Sequence, residues 1–227
     1  MPIPIPLIIG GGLAIAGIAW LFGSRSGGDD EDDGEEEQGS LEERLRKRCK
    51  EHSKRNCFFF DRYVPFGRWH TAYSAEILKL KEMDKDVIEK FRKKFRFLKG
   101  LDNLVIIRVP SHEAGKENGM ELLAARISRN YGISDMSSNF KRISDVLERK
   151  KAPRGERYMD DAQKEDTKKS LKITDPKKLE GKDILLIDDI ATTWDTIDCC
   201  ASLIDHDANP AEIYSLVLGR TNPPRRS

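Results

Sequence analysis

Cysteine is scarce in this chain. Four residues, Cys49, Cys57, Cys199 and Cys200, are too few and too unevenly spaced for a disulfide framework or for paired CxxC zinc knuckles, which fits a reduced, cytosolic setting. Cys49, His52 and Cys57 offer three zinc ligands but no evident fourth, so packing is the stronger reading for them. Cys199 and Cys200 fall on an expected helix, where cysteine usually serves as a small hydrophobe. Net charge is also missing: 40 Lys and Arg against 39 Asp and Glu leave +1, which argues for neither a nucleic-acid glove nor an acid-seeking partner. The charge is segregated instead. Residues 29–37 (DDEDDGEEE) are almost wholly acidic, while 44–55 and 142–157 are rich in Lys and Arg. Like charges repel and bury little apolar surface, so residues 24–40 read as an acidic, disordered linker.

Charge is absent altogether from residues 2–23. That run approaches the roughly 20 apolar residues a membrane helix needs, and no Lys or Arg precedes it to make a secretory signal. The expectation is a single membrane helix over 2–23, with Trp20 and Phe22 at an interface and Arg25 on the inner side, leaving the body of the chain in the cytosol. Three glycines, Gly10 to Gly12, mark a hinge or a close helix contact within it, and an apolar tail in a soluble assembly is the alternative.

Beyond the linker, residues 41–100 read as a helical N-terminal region: a charged helix over 41–54, a short strand over 57–64 (CFFFDRYV) broken by Pro65 and Gly67, and helical composition over 73–97. Ile77, Leu80, Met83, Val87, Ile88 and Phe91 form the apolar stripe of that last stretch. Residues 101–221 alternate differently, and 222–227 are a tail. LVIIRV at 104–109 is a continuous apolar run, as in a strand buried on both faces. The loop SHEAGK (111–116) leads to a helix with Met120, Leu123, Ala124, Ile127 and Tyr131 on one face, closed by Gly132. A second strand at 184–187, a loop at 190–193, a helix carrying Ile197, Cys200, Ala201 and Ile204, and a third strand at 213–218 follow. This order predicts an α/β fold with a mostly parallel, doubly wound sheet, whose ligand lies beyond the loops after Val109 and Ile187.

Those loops carry chemistry. Asp188 and Asp189 stand at a strand end, followed by Ala191, Thr192, Thr193 and Thr196 where the chain turns into a helix. A helix start offers unpaired N–H groups and a positive dipole end to phosphate, and threonine hydroxyls add donors without a competing charge. Two carboxylates suit the vicinal hydroxyls of a ribose, directly or through Mg²⁺.

The segment ILLIDDIATTWDT resembles the phosphoribosyl pyrophosphate motif of type I phosphoribosyltransferases. The order of segments over roughly 63–221, with YVPFGRWHTAYSAEILKLK, VIIRVPSHEAGKENGMELLAARI, LERKKAPRGERYMDDAQ and EIYSLVLGRT, is similar to the ComF group of amidophosphoribosyltransferase-like proteins linked to DNA uptake. The resemblance implies a sheet of the type I phosphoribosyltransferase kind. It implies that Asp188 and Asp189 hold the ribose hydroxyls as the catalytic pair and hold Mg²⁺ indirectly. Thr192, Thr193 and Thr196, with the backbone around Ala191, Trp194 and Asp195, would take the 5-phosphate. Ser111, His112 and Lys116 would face the pyrophosphate, and Arg149, Arg154 and Arg157 would belong to a closing flap. The implied activity is transfer of phosphoribose to a nitrogen nucleophile; the alternative is a nucleotide sensor or a ComF-like accessory of DNA handling, with nucleic acid a partner by family analogy alone. Two positions depart from the motif: Ala191 replaces a larger aliphatic, and Trp194 replaces a small residue, usually Gly. The indole has three possible places, packed outward against the domain, stacked on a base, or filling the phosphate pocket.

Overall fold

A computed structural model describes residues 37–65, 70–112, 118–145 and 158–221. The strands are β1 (Lys50–Glu51), β2 (Cys57–Arg62), β3 (Leu104–Arg108), β4 (Ser134–Asp135), β5 (Phe140–Arg142), β6 (Leu171–Ile173), β7 (Asp183–Ala191) and β8 (Glu212–Arg220). The helices are α1 (Leu41–Arg48), α2 (Ala72–Lys81), α3 (Lys85–Lys94), α4 (Gly119–Tyr131), α5 (Asp161–Lys169) and α6 (Asp195–Ala208). Six strands form one sheet in the order β1-β2-β8-β7-β3-β4, parallel throughout except for β1, and β5 and β6 pair as a separate antiparallel ribbon.

The apolar runs explain this layering. Successive residues of a strand face opposite sides, and here both sides are covered. Leu104, Ile106, Leu185 and Ile187 join the core formed with α2, α3 and α4, while Val105, Ile107, Ile184 and Leu186 join the core formed with α6 and the β5–β6 ribbon. From β3 the chain crosses through α4 to β4 on one side; from β7 it crosses through α6 to β8 on the other. The direction of winding therefore reverses between the adjacent strands β3 and β7, which opens a crevice at their carboxyl ends.

Several boundaries differ from expectation for identifiable reasons. The helix expected over 41–54 stops at Arg48, because Cys49 is extended and Lys50 and Glu51 pair with β2. The stretch 73–97 is two helices and a short 3-10 turn: Met83 takes a left-handed conformation (φ 62°), and the Asp84 side chain caps α3 by accepting from the N–H groups of Asp86 and Val87. β7 runs on through the acidic pair to Ala191, so the loop starts at Thr192. Nor is 41–100 a region apart from the sheet. Residues 36–227 form one unit, β2 is hydrogen-bonded alongside β8, and α2 and α3 share a core with α4. β4, β5, β6 and α5 were not anticipated; they are short or strongly charged. The expected membrane helix at 2–23, linker residues 24–36 and the tail at 222–227 lie outside the described residues. Among the described residues no helix is long and apolar enough to cross a membrane.

Candidate functional site

Ile184 to Ile187 are fully buried in the sheet, so the strand carries the next residues, Asp188 and Asp189, to its open end as a rigid pair. The Asp189 N–H donates to Asp188 Oδ1 at 2.8 Å. Burial, and then the charge of Asp189, push the Asp188 carboxyl up to about 7, against the pull of that N–H, Lys81 and Arg108. Asp189 has a partner from another element: Lys81 Nζ, at the end of α2, lies 2.5 Å from Asp189 Oδ2.

The next turn is built around Trp194. Its backbone is left-handed (φ 67°, ψ −1°), a conformation that glycine takes freely and a bulky side chain resists by roughly 1–2 kcal/mol. The indole is 3% exposed, belongs to the core beneath α6, and lies against the His52 ring at 5.1 Å between centroids. The indole is packed into the domain rather than turned outward, Trp194 also lines the cavity, and burial of a large aromatic offsets the backbone strain. The backbone thus follows the path a glycine would give it. Trp194→Ala is expected to cost about 3 kcal/mol through the cavity it leaves, and Trp194→Gly about 1 kcal/mol less than that because it relieves the left-handed strain; urea denaturation of both variants checks the order.

Trp194 occupies the helix start but gives no side-chain cap to α6. The first amide to close a turn is that of Asp198, which donates to the Trp194 carbonyl at 2.9 Å. The N–H groups of Asp195, Thr196 and Ile197 donate to no acceptor among the described residues. They stand beside Thr192, Thr193 and Thr196, all half-buried. The Thr221 side chain, from the end of β8, donates to Thr192 Oγ1 at 2.9 Å, and the Thr221 N–H donates to the Ala191 carbonyl at 3.0 Å. The Asp195 carboxylate, by contrast, looks inward: Oδ2 accepts the Met159 N–H at 3.0 Å and fastens the chain entering α5 to the start of α6.

Across the crevice, Pro110, Ser111 and His112 follow β3. The Ser111 carbonyl accepts from Arg142 Nε at 2.5 Å, and Arg142 Nη1 donates to Ser170 Oγ. Arg142 is 7% exposed, and burial holds its guanidinium below the usual arginine range. No carboxylate among the described residues forms an ion pair with it.

Ser111, His112, Asp188, Asp189 and residues 191–196 line one cavity of about 1220 Å³, and the loop residues expected to converge do so. Lys116, Arg149, Arg154 and Arg157 lie outside the described residues, although Asp145 and Met159, on either side of the basic stretch, reach the cavity wall. Lys81, Arg142, Tyr63 and Thr221 also line it and were not singled out from the sequence. Thr221 carried a signal, since it directly follows a strand parallel to β7. Lys81 and Arg142 carried none, each being one cation in a basic stretch. A second depression of about 510 Å³, near Asn56 and Glu212 at the opposite end of the strands, gathers none of the candidate site residues.

Among the described residues no three His, Cys, Asp or Glu side chains gather as a metal cage. Two adjacent carboxylates fit Mg²⁺, which typically takes one or two protein carboxylates and completes its shell with water and ligand phosphate. Cys49 and Cys57 are shielded thiols, pushed up to about 12 and about 11 by burial. No family model matches this chain, and no curated protein matches it.

Proposed function

We propose that the cavity binds phosphoribosyl pyrophosphate and that the domain is a phosphoribosyltransferase of the type I kind, similar to the ComF group, transferring the phosphoribosyl group to a nitrogen nucleophile. One observation carries this reading: an acidic pair, an uncapped helix start flanked by threonines, and a buried arginine that forms no ion pair with a carboxylate among the described residues open onto the same cavity. Each matches one part of the ligand. Asp188 and Asp189 suit the ribose hydroxyls; the amides of 195–197 and the threonine hydroxyls suit the 5-phosphate; Arg142, behind Ser111, suits the pyrophosphate. Asp188 and Asp189 would hold Mg²⁺ indirectly, and the ion would supply charge neutralisation of the leaving pyrophosphate. The protein's share is positioning and charge stabilisation, as the nucleophile displaces pyrophosphate from ribose C1. Residues 2–23 are read as a membrane tether that keeps this domain at the cytosolic face.

Titration of the full chain with phosphoribosyl pyrophosphate and Mg²⁺ tests the reading. Saturable binding is expected, weakened by about tenfold or more in Asp189→Asn, in which one ligand carboxylate is lost. Absence of binding by the unaltered protein removes the proposal. A second reading, binding without turnover in a nucleotide sensor or a ComF-like accessory of DNA handling, is favoured by Trp194, since a buried indole stiffens a turn that the motif normally builds with glycine. Saturable binding with no pyrophosphate released in the presence of nucleobases and amines is the result expected from it.

A further inference from the structure

We propose that Lys81 is a resident cation of this site, neutralising Asp189 in the manner of a divalent ion, so that phosphoribosyl pyrophosphate binding persists when Mg²⁺ is removed. The inference rests on the proposed function and concerns how the same cavity tolerates its ligand's charge. Two adjacent carboxylates repel a polyphosphate, and a bound cation is the usual remedy. Here the cation is part of the chain. Lys81 and Asp189 line the cavity with their charged ends 2.5 Å apart, and the side chains are only 27% and 18% exposed. A pair so shielded is screened less by salt and water than a surface pair.

The position of Lys81 is imposed by the fold. It ends α2, and the two residues that anchor that helix, Ile77 and Leu80, are fully buried. Both meet a glycine: Ile77 lies over Gly219 on β8, and the Leu80 carbonyl lies over Gly119 at the start of α4, each close enough that a Cβ would collide. The backbone of Lys81 is therefore held between the sheet and α4, one lysine side chain away from Asp189. Any Mg²⁺ reaching Asp189 Oδ2 competes with an ammonium already there. Among the described residues no third carboxylate or histidine joins the pair to shift that competition towards the metal.

The test titrates the full chain with phosphoribosyl pyrophosphate in EDTA and in excess Mg²⁺, for the unaltered protein, Lys81→Ala and Lys81→Arg, with thermal melts of each. The unaltered protein is expected to lose less than about tenfold in affinity in EDTA, whereas Lys81→Ala loses about tenfold more than it in EDTA and recovers most of the loss in Mg²⁺. Lys81→Arg retains the binding seen in EDTA. If the unaltered protein binds in Mg²⁺ alone, the proposed function stands and the resident-cation role is overturned. That role is overturned as well if Lys81→Ala weakens binding equally in both buffers, as a purely structural effect would. If the unaltered protein binds in neither buffer, the sugar-phosphate reading fails and this inference fails with it.

Discussion

Gly119→Ala is expected to destabilise the fold by at least about 3 kcal/mol, the upper end of the cost of overpacking a core. Gly119 opens α4 where that helix crosses α2. A Cβ built there would sit 1.6 Å from the Leu80 carbonyl oxygen and 2.6 Å from its carbon. The obstacle is backbone, so no rotamer change relieves it. The two helices would have to separate, loosening Ile77 and Leu80 from Met120 and Leu123, all within one core. For a chain of this size the loss corresponds to a melting temperature lower by about 10 °C. Gly132→Ala is the control. Gly132 is left-handed (φ 71°) with nothing within 4 Å of a Cβ, so only the conformational cost of about 1 kcal/mol applies. A Gly119 variant no less stable than the Gly132 variant would show that α2 and α4 have room to part. The effect should also reach the site, because Lys81 follows Leu80 directly and its reach to Asp189 depends on that crossing.

The parts of the fold legible in the sequence were those in which a single segment carries its own signal. LVIIRV and ILLI are too apolar for an exposed strand, and Gly132 and Asn209, both left-handed in the structure, stand where a helix must stop. The break between α2 and α3 was also written locally, in Asp84 as a cap, but the apolar stripe runs across it from Leu80 to Val87 and masks it. β4, β5 and β6 have two or three residues each, and nothing local distinguishes so short a strand. α5 carries a capping box, Asp160 with Gln163, yet only Thr167 of its helical residues is buried, so it lacks an apolar stripe to read. The site divides the same way. Asp188, Asp189 and the threonines are nearly consecutive and could be read together. Lys81 stands 108 residues from Asp189 in the chain, and only the packing of α2 against the sheet brings them together. Trp194 was legible as a departure from the motif, but its inward turn depends on His52 and the core beneath α6, which no local pattern contains.

Arg142→Met should separate stability from function. In the folded protein Arg142 is 7% exposed, and among the described residues its guanidinium donates to neutral acceptors, the Ser111 carbonyl and Ser170 Oγ, with no paired carboxylate. A charge withdrawn from water without a hydrogen-bonded carboxylate is costly, and replacing buried charges by apolar groups of similar volume is often neutral or stabilising. Methionine fills much of the same space and removes the desolvation cost, at the loss of two charge-assisted hydrogen bonds worth about 1.5 kcal/mol or more each, which that saving largely offsets. The melting temperature of the ligand-free protein is therefore expected to change by no more than a few degrees in either direction, by about 1 kcal/mol. Ligand binding should respond differently. An anion entering the cavity gains a counter-charge whose desolvation is already complete, so loss of Arg142 should weaken phosphoribosyl pyrophosphate binding by about 100-fold. Ribose 5-phosphate, which lacks the pyrophosphate, should lose much less if Arg142 serves that end of the ligand. An equal loss for both ligands would instead assign the arginine to holding the Ser111 loop in place, and unchanged affinity for both would remove it from the binding site.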